Sequence, residues 1–155
     1  MPIAAVLARA DLDVGGHWAF GHYTHEKNPV TCRAALTTLE IIEDEGLVEN
    51  ARYQGERALQ RLRDMQARHS LIGDVRGRGL LLGVELVSDR EIKTPANDAA
   101  EAVLYHALSR GLSFKISLGN VLTLTPPLII TAAEMDAALA ILEESIAAME
   151  GATML

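Results

Sequence analysis

The chain has 155 residues, a net charge of −7 and an isoelectric point near 5.2. At 49% hydrophobic and 23% charged residues it can build the core of an ordinary globular domain, so disorder is excluded. The acidic balance argues against nucleic acid or an anionic membrane as the main partner, because both select clustered Lys and Arg. The single cysteine, Cys32, cannot form an internal disulfide, and the cytoplasm is the expected compartment.

Residues 1–12 are too short and too interrupted, by Arg9 and Asp11, for a signal peptide or a membrane span. Residues 2–8 form an apolar run without a helical stripe and read as a buried strand. A buried parallel strand needs neighbours on both sides, and nothing nearby supplies them. Residues 11–28 read as a loop rich in Gly and His, anchored by Trp18 and Phe20.

Pro29 suits the first turn of a helix, where its missing N–H costs nothing. Ala35, Leu36, Leu39 and Ile42 then recur at helical spacing. Residues 44–46 interrupt the pattern, and Leu47 restarts a stripe through Ala51, Ala58, Leu59, Leu62 and Met65. The expectation is one long, broken helix to about His69, with Glu56, Arg57, Arg61 and Arg63 on a solvated outer face. Cys32, beside Ala34 and Ala35, reads as a packing residue.

Residues 72–87 read as a Gly-studded strand region, strongest from Leu80 to Val87. A polar loop follows to Pro95. Asn97 or Asp98 is the expected cap of a helix running to Arg110, stopped by Gly111. Residues 112–116 and 121–124 read as strands about a Gly119-Asn120 turn, and residues 128–130 as extended backbone after Pro126-Pro127. Thr131-Ala132-Ala133-Glu134 has the form of a capping box opening a last amphipathic helix. The expected fold class is α/β, with an α+β small domain in which helices cover one face of a sheet. The expected division is residues 1–28, a connecting helix at 29–69, and a small domain at 70–155.

The residues alone name no reaction. Gly77-Arg78-Gly79 is followed by a strand, whereas a dinucleotide-binding loop needs a helix there. Glycines at a bent strand that another backbone approaches closely are the simpler reading. His17, His22 and His25 lack the paired spacing and fourth ligand of a zinc site. No paired-carboxylate or Ser-His-Asp arrangement is apparent.

Four segments, in order and at suitable distances, resemble class III pyridoxal-phosphate (PLP) aminotransferases. They are residues 1–9, the turn at residues 21–30, the run at residues 72–85, and residues 120–131 with the Pro126-Pro127 pair. The Gly73-Asp74-Val75-Arg76-Gly77-Arg78-Gly79 run is especially similar to the dialkylglycine decarboxylase and 4-aminobutyrate aminotransferase group. The resemblance implies the C-terminal portion of a fold type I, PLP-dependent transaminase. That enzyme would be a homodimer whose active sites use both subunits, with amine and keto acid as its small-molecule substrates.

The resemblance also implies that Thr24, five residues before Pro29, donates its hydroxyl to the PLP phosphate across the dimer interface. The family's Schiff-base lysine lies upstream of this turn. None of Lys27, Lys93 and Lys115 matches its pattern, so the chain alone is expected to be inactive and to bind PLP weakly or not at all. Many members carry an Arg two or three residues before the Pro-Pro pair. Here those positions are Thr123 and Leu124, and a Thr cannot replace a bidentate guanidinium. Arg76 or Arg78 could compensate, although both read more simply as surface or backbone-tethering arginines. Two other readings are a partner-binding or regulatory domain, and the small subunit of a heteromeric PLP enzyme.

Overall fold

A computed structural model of the chain describes residues 4, 7–12, 14, 15, 18 and 28–152. Two compact units divide at Gly46: Met1–Gly46 and Leu47–Leu155.

In the first unit, a 3-10 turn spans Ala10–Leu12 and helix α1 spans Pro29–Asp44. Pro29 sits in the first turn of α1, as its fixed φ favours. The cap is Asn28, whose Oδ1 accepts from the Val30 and Thr31 amides at 2.9 and 3.4 Å. The helix ends where Gly46 turns to φ +61°. The expected strand at residues 2–8 does not form at its described positions. Ala4, Leu7 and Ala8 are exposed and lie in no strand, because a strand needs a hydrogen-bonded neighbour and none pairs with them.

In the second unit, α2 (Leu47–Arg68) leads into β1 (Ile72–Arg78), β2 (Leu81–Asp89) and the short β3 (Thr94–Pro95). Helix α3 (Asn97–Leu108), β4 (Lys115–Ser117), β5 (Val121–Leu124) and α4 (Ala132–Ala152) complete it. The sheet is antiparallel in the order β1-β2-β5-β4, with β3 paired to β2. Strand alternation puts Val75, Leu82, Val84, Leu86 and Leu122 on one face. They join Leu62 and Met65 of α2, Val103 of α3, and Met135, Leu139, Leu142 and Ile146 of α4 in one core. The α+β architecture with helices against one sheet face is the expected one.

Charged side chains fasten the helices together. Arg57 and Arg61, read from the sequence as solvated, reach Asp136 of α4 at 3.1 and 3.6 Å. Helical spacing put them outside the α2 stripe but could not show that α4 runs beside them. At the far end of α2, Arg90 Nε donates to the Ser70 carbonyl at 3.0 Å, and its Nη2 reaches the Gln66 and His69 carbonyls. That guanidinium satisfies carbonyls the helix end leaves unpaired.

Glu150 docks the last turns of α4 on the α2–β1 junction. Its carboxylate accepts from the Leu71 amide at 2.8 Å and the Ser70 hydroxyl at 3.1 Å, and lies 2.7 Å from His69 Nδ1. Burial works to raise the carboxyl, but the hydrogen bonds from Leu71, His69 and Ser70 outweigh it and hold Glu150 below its ordinary 4.5. A depressed carboxylate contributes stability above its unfolded value and loses it as pH falls through the folded one. Glu150→Gln is therefore expected to flatten the acid side of the stability profile below about pH 4.5. Denaturant unfolding at a series of pH values checks this. An unchanged acid slope would mean the bonds do not form.

Local corrections follow the hydrogen bonds. The cap position of α3 is Ala96, without a side-chain bond, so Asn97 is the first helical residue rather than the cap. The helix stops at Leu108, and the Leu112 amide bonds back to the Ala107 carbonyl at 3.0 Å. Residues 112–114 are consequently not strand; Leu112 and Phe114 pack on the core edge instead. Residues 128–130 are not extended, because the Ile130 amide closes a turn on the Pro127 carbonyl. Thr94 and Pro95, placed in a loop, pair with β2. The capping box holds. Thr131 donates its amide and hydroxyl to Glu134 at 2.9 and 2.7 Å, and the Glu134 amide returns to Thr131 Oγ1 at 3.3 Å. The Thr131 amide, then its hydroxyl, lower the Glu134 carboxyl.

The β4–β5 turn carries backbone strain. Leu118 and Gly119 have φ of +55° and +86°, and Leu118 is 90% exposed. A leucine gains nothing there to offset the left-handed conformation, which asparagine tolerates. Leu118→Asn creates the favoured Asn-Gly pair and is expected to stabilise by about 0.5–1 kcal/mol. Thermal or urea unfolding checks this; a loss of stability would show that the Leu118 side chain contributes packing that outweighs the strain.

Candidate functional site

Thr24, the candidate phosphate ligand, lies outside the described residues, as do His17, His22, His25 and Lys27. Immediately downstream, α1 begins at Pro29, with its Val30 and Thr31 amides occupied by Asn28. Cys32, expected to pack, is exposed on α1. Helix α1 buries none of its residues, which leaves no core there for a thiol to join.

The Gly77-Arg78-Gly79 run is a packing device. Gly79 turns the β1–β2 hairpin with φ +53°, and α2 passes so close that a Cβ on Gly55 would lie 2.1 Å from the Gly79 carbonyl oxygen. The close-approach reading of these glycines is therefore the one observed, and no helix N-terminus follows them.

The sheet face opposite the core carries the positions the resemblance singles out. Register aligns Arg76, Gly83, Thr123 and Lys115 across four strands, and places Asp74, Glu85, Val121 and Ser117 in the next row. Arg76 Nη1 donates to Asp74 at 2.6 Å and to Glu85 at 2.7 Å. The bonds to Asp74 and then Glu85 raise its pKa, and its charge is compensated on the spot. Arg76 therefore does not stand free as a substitute for the family's arginine. Arg78 points to the same side and makes no ion pair among the described residues. Thr123, at a position where many members carry arginine, has its hydroxyl 2.8 Å from that of Ser117. Sequence reasoning missed Lys115 and Ser117 as neighbours of Thr123. The strand was placed at residues 112–116, and the i, i+2 pattern from 115 to 117 was the available signal.

Two cavities lie elsewhere. An open cleft of about 780 Å³ is bordered by Arg68, Ser70, Val87, Asn97, Asp98 and Glu150. Glu150 is bonded to the α2–β1 junction and Arg68 to Glu143, so neither charge is free for a ligand. A second cavity of about 350 Å³ behind Pro126-Pro127 is lined chiefly by apolar groups, among them Leu82, Phe114, Leu139 and Leu142. His106 Nδ1 is 3.0 Å from the buried Ser145 Oγ, which donates to the Ile141 carbonyl at 2.7 Å. Since that serine is sealed in the core, the pair is structural. Among the described residues no group of His, Cys, Asp or Glu could hold a metal ion. No described helix is long and apolar enough to cross a membrane.

Comparison with known proteins places this architecture. Residues 1–146 match the family described as Aminotransferase class-III. The (R)-1-hydroxy-2-aminoethylphosphonate ammonia-lyase of Vibrio splendidus (strain 12B01) is 48% identical over 147 residues, 95% of this chain and 31% of the relative. The isoleucine 2-epimerase of Lentilactobacillus buchneri is 42% identical over 154 residues, covering 97% of this chain and 33% of that protein. Among solved structures, an amine transaminase from an uncultivated Pseudomonas species, in its PLP-bound internal aldimine form, superposes with a TM-score of 0.80 at 32% identity. That match covers 86% of this chain and 30% of the other. The chain thus spans about a third of the length of the relatives it matches. By sequence over almost its whole length and by fold, the chain belongs to the class III aminotransferase family.

Proposed function

We propose that this chain is the C-terminal part of a PLP-dependent class III enzyme that acts on an amine or amino acid, with amino transfer as the parent reaction. The observation that carries the reading is the family match over residues 1–146, together with the fold shared with a solved amine transaminase. Residues 1–28 would be the end of the PLP-binding domain, residues 29–69 the connector and residues 70–155 the small domain. PLP, when bound, supplies an electron sink for carbanion chemistry at the substrate carbon.

The described residues do not form a cofactor pocket. Lys93 sits exposed in a turn at φ +55° and Lys115 is exposed on β4, so neither is a desolvated lysine poised for imine formation. This chain's part would be Thr24, donating its hydroxyl to the cofactor phosphate across the interface of a cytoplasmic homodimer. Helix α1 supports assembly into something larger, since Val30, Leu36, Leu39 and Ile41 are all exposed on it. The same exposure suits the two other readings, a regulatory domain and a heteromeric small subunit.

The test is made on the native enzyme that carries this chain. Thr24→Ala is expected to raise its PLP dissociation constant about tenfold or more, the worth of one hydrogen bond to a charged group. Absorbance titration reads this. PLP affinity unmoved by the substitution would remove Thr24 from the site, and a native enzyme without PLP would remove the cofactor reading altogether.

A further inference from the structure

The apolar cavity behind Pro126-Pro127 has the make-up of a small-molecule site. It opens on the helix-covered side of the sheet, where Leu82 and Leu124 pair directly across β2 and β5. Its floor is Leu82, Met135, Leu139 and Leu142, each no more than 3% exposed. Ser113 and Thr125 also line it, and both are exposed, so they form its rim. The pocket therefore runs from solvent down to the core of the second unit.

Size sets the first limit on an occupant. At about 350 Å³ the cavity is more than twice the apolar cavity of about 150 Å³ that takes up benzene, and it falls within the range of ordinary ligand pockets. Water finds no partner on the floor, because all four side chains there are apolar. An apolar body gains dispersion contact with all four and displaces no hydrogen-bonded water from them. Met135 adds adaptability, since its unbranched thioether chain shifts to fit an irregular shape.

Charge sets the second limit. No lining residue is ionisable, so a carboxylate or ammonium that entered would lose its hydration without gaining a counter-charge. The rim still offers hydrogen bonds. The Ser117 and Thr123 hydroxyls are spent on each other at 2.8 Å, whereas those of Ser113 and Thr125 bond to nothing among the described residues. Each can donate to or accept from a neutral polar group.

We propose that this pocket binds a small uncharged molecule with an aromatic or branched aliphatic body and one hydroxyl or carbonyl end. The body rests on Leu82, Met135, Leu139 and Leu142, and the polar end meets the Ser113 and Thr125 hydroxyls. Were the cavity only a packing gap, filling it would stabilise the fold but no solute would saturate it.

The experiment is an NMR titration of the full 155-residue chain with 2-phenylethanol, and in parallel with ethylbenzene and phenylacetate. Calorimetry repeats the 2-phenylethanol arm on the native enzyme that carries the chain. The expected result is saturable amide shifts centred on Ser113, Thr125 and Met135, with a Kd near or below about 1 mM in both forms. Phenylacetate is expected to bind at least about tenfold more weakly than 2-phenylethanol. Ala138→Phe adds a ring on the α4 wall of the pocket and is expected to abolish binding of all three probes. The double change Ser113→Ala and Thr125→Val is expected to weaken 2-phenylethanol about fivefold, the worth of one hydrogen bond, and to leave ethylbenzene unchanged. Both of its positions are exposed, so it keeps the fold even where Ala138→Phe does not.

Shifts that are absent or scattered over the surface, phenylacetate bound as tightly as 2-phenylethanol, or binding that survives Ala138→Phe in a folded chain would overturn the site. So would a double variant that weakens the alcohol no more than the hydrocarbon. Binding by the chain but not by the native enzyme would give the cavity to a side chain of the remaining enzyme and overturn it too. No arm depends on PLP, so its failure is separable from failure of the cofactor reading.

Discussion

Gly55→Ala is expected to cost about 3 kcal/mol of stability, the upper end of the usual overpacking range. The added Cβ would lie 2.1 Å from the Gly79 carbonyl oxygen, 2.4 Å from its carbon and 2.7 Å from its Cα. All three atoms are backbone, so no rotamer change can relieve the clash. Gly79 itself is fixed by the hairpin turn at φ +53°, and β1 and β2 on either side are locked in register. Relief must come from moving α2 away from the sheet, which opens the contacts of Ala58, Leu62 and Met65. Gly111→Ala is the contrast. Gly111 has a positive φ but nothing within 4 Å of its would-be Cβ, so only the conformational cost of about 1 kcal/mol applies. Urea midpoints of the two variants check the pair, and similar losses would show that α2 does not pack on the hairpin as described.

Leu62→Ala is expected to cost about 2–5 kcal/mol. Leu62 is wholly buried in the core where α2 meets the sheet. Truncation removes transfer free energy and leaves a cavity that a helix, two strands and a neighbouring helix must shrink together to fill. The cost should fall at the upper half of that range if the shell is rigid. Equilibrium unfolding of the variant checks it. A loss below about 1 kcal/mol, the level of an exposed change, would place Leu62 outside the core.

Much of the second unit was legible because its local signals agree with its tertiary contacts. The capping box at Thr131 and Glu134 needs only its own four residues to form, and in β2 the strand formers Leu82, Val84 and Leu86 alternate with less buried residues, so one face is buried. The misses lie where a distant partner decides. Residues 112–114 look like strand, but the Ala107 carbonyl captures the Leu112 amide and their side chains turn to the core edge. Arg57 and Arg61 look solvated until α4 brings Asp136 beside them. Thr94 and Pro95 become strand only because β2 offers an edge.

The candidate site was legible to a smaller degree. Thr24 and the Pro126-Pro127 segment were found through the resemblance, since a turn hydroxyl and a Pro pair carry no chemistry by themselves. The grouping of Lys115, Ser117 and Thr123 depends on the register between β4 and β5, and a one-residue slip would send their side chains to the other face. The expected turn at Gly119-Asn120 would set a register one residue away from the observed one, in which Leu118 and Gly119 carry the positive φ, so only the paired strands reveal the grouping.

This chain is proposed to contribute to a PLP enzyme without supplying the lysine that holds the cofactor. Incubation of the chain with PLP, borohydride reduction and peptide mapping tests it most directly. No stoichiometric phosphopyridoxyl label is expected on Lys27, Lys93 or Lys115, the only lysines in the sequence. One of these three lysines labelled stoichiometrically and alone would contradict it.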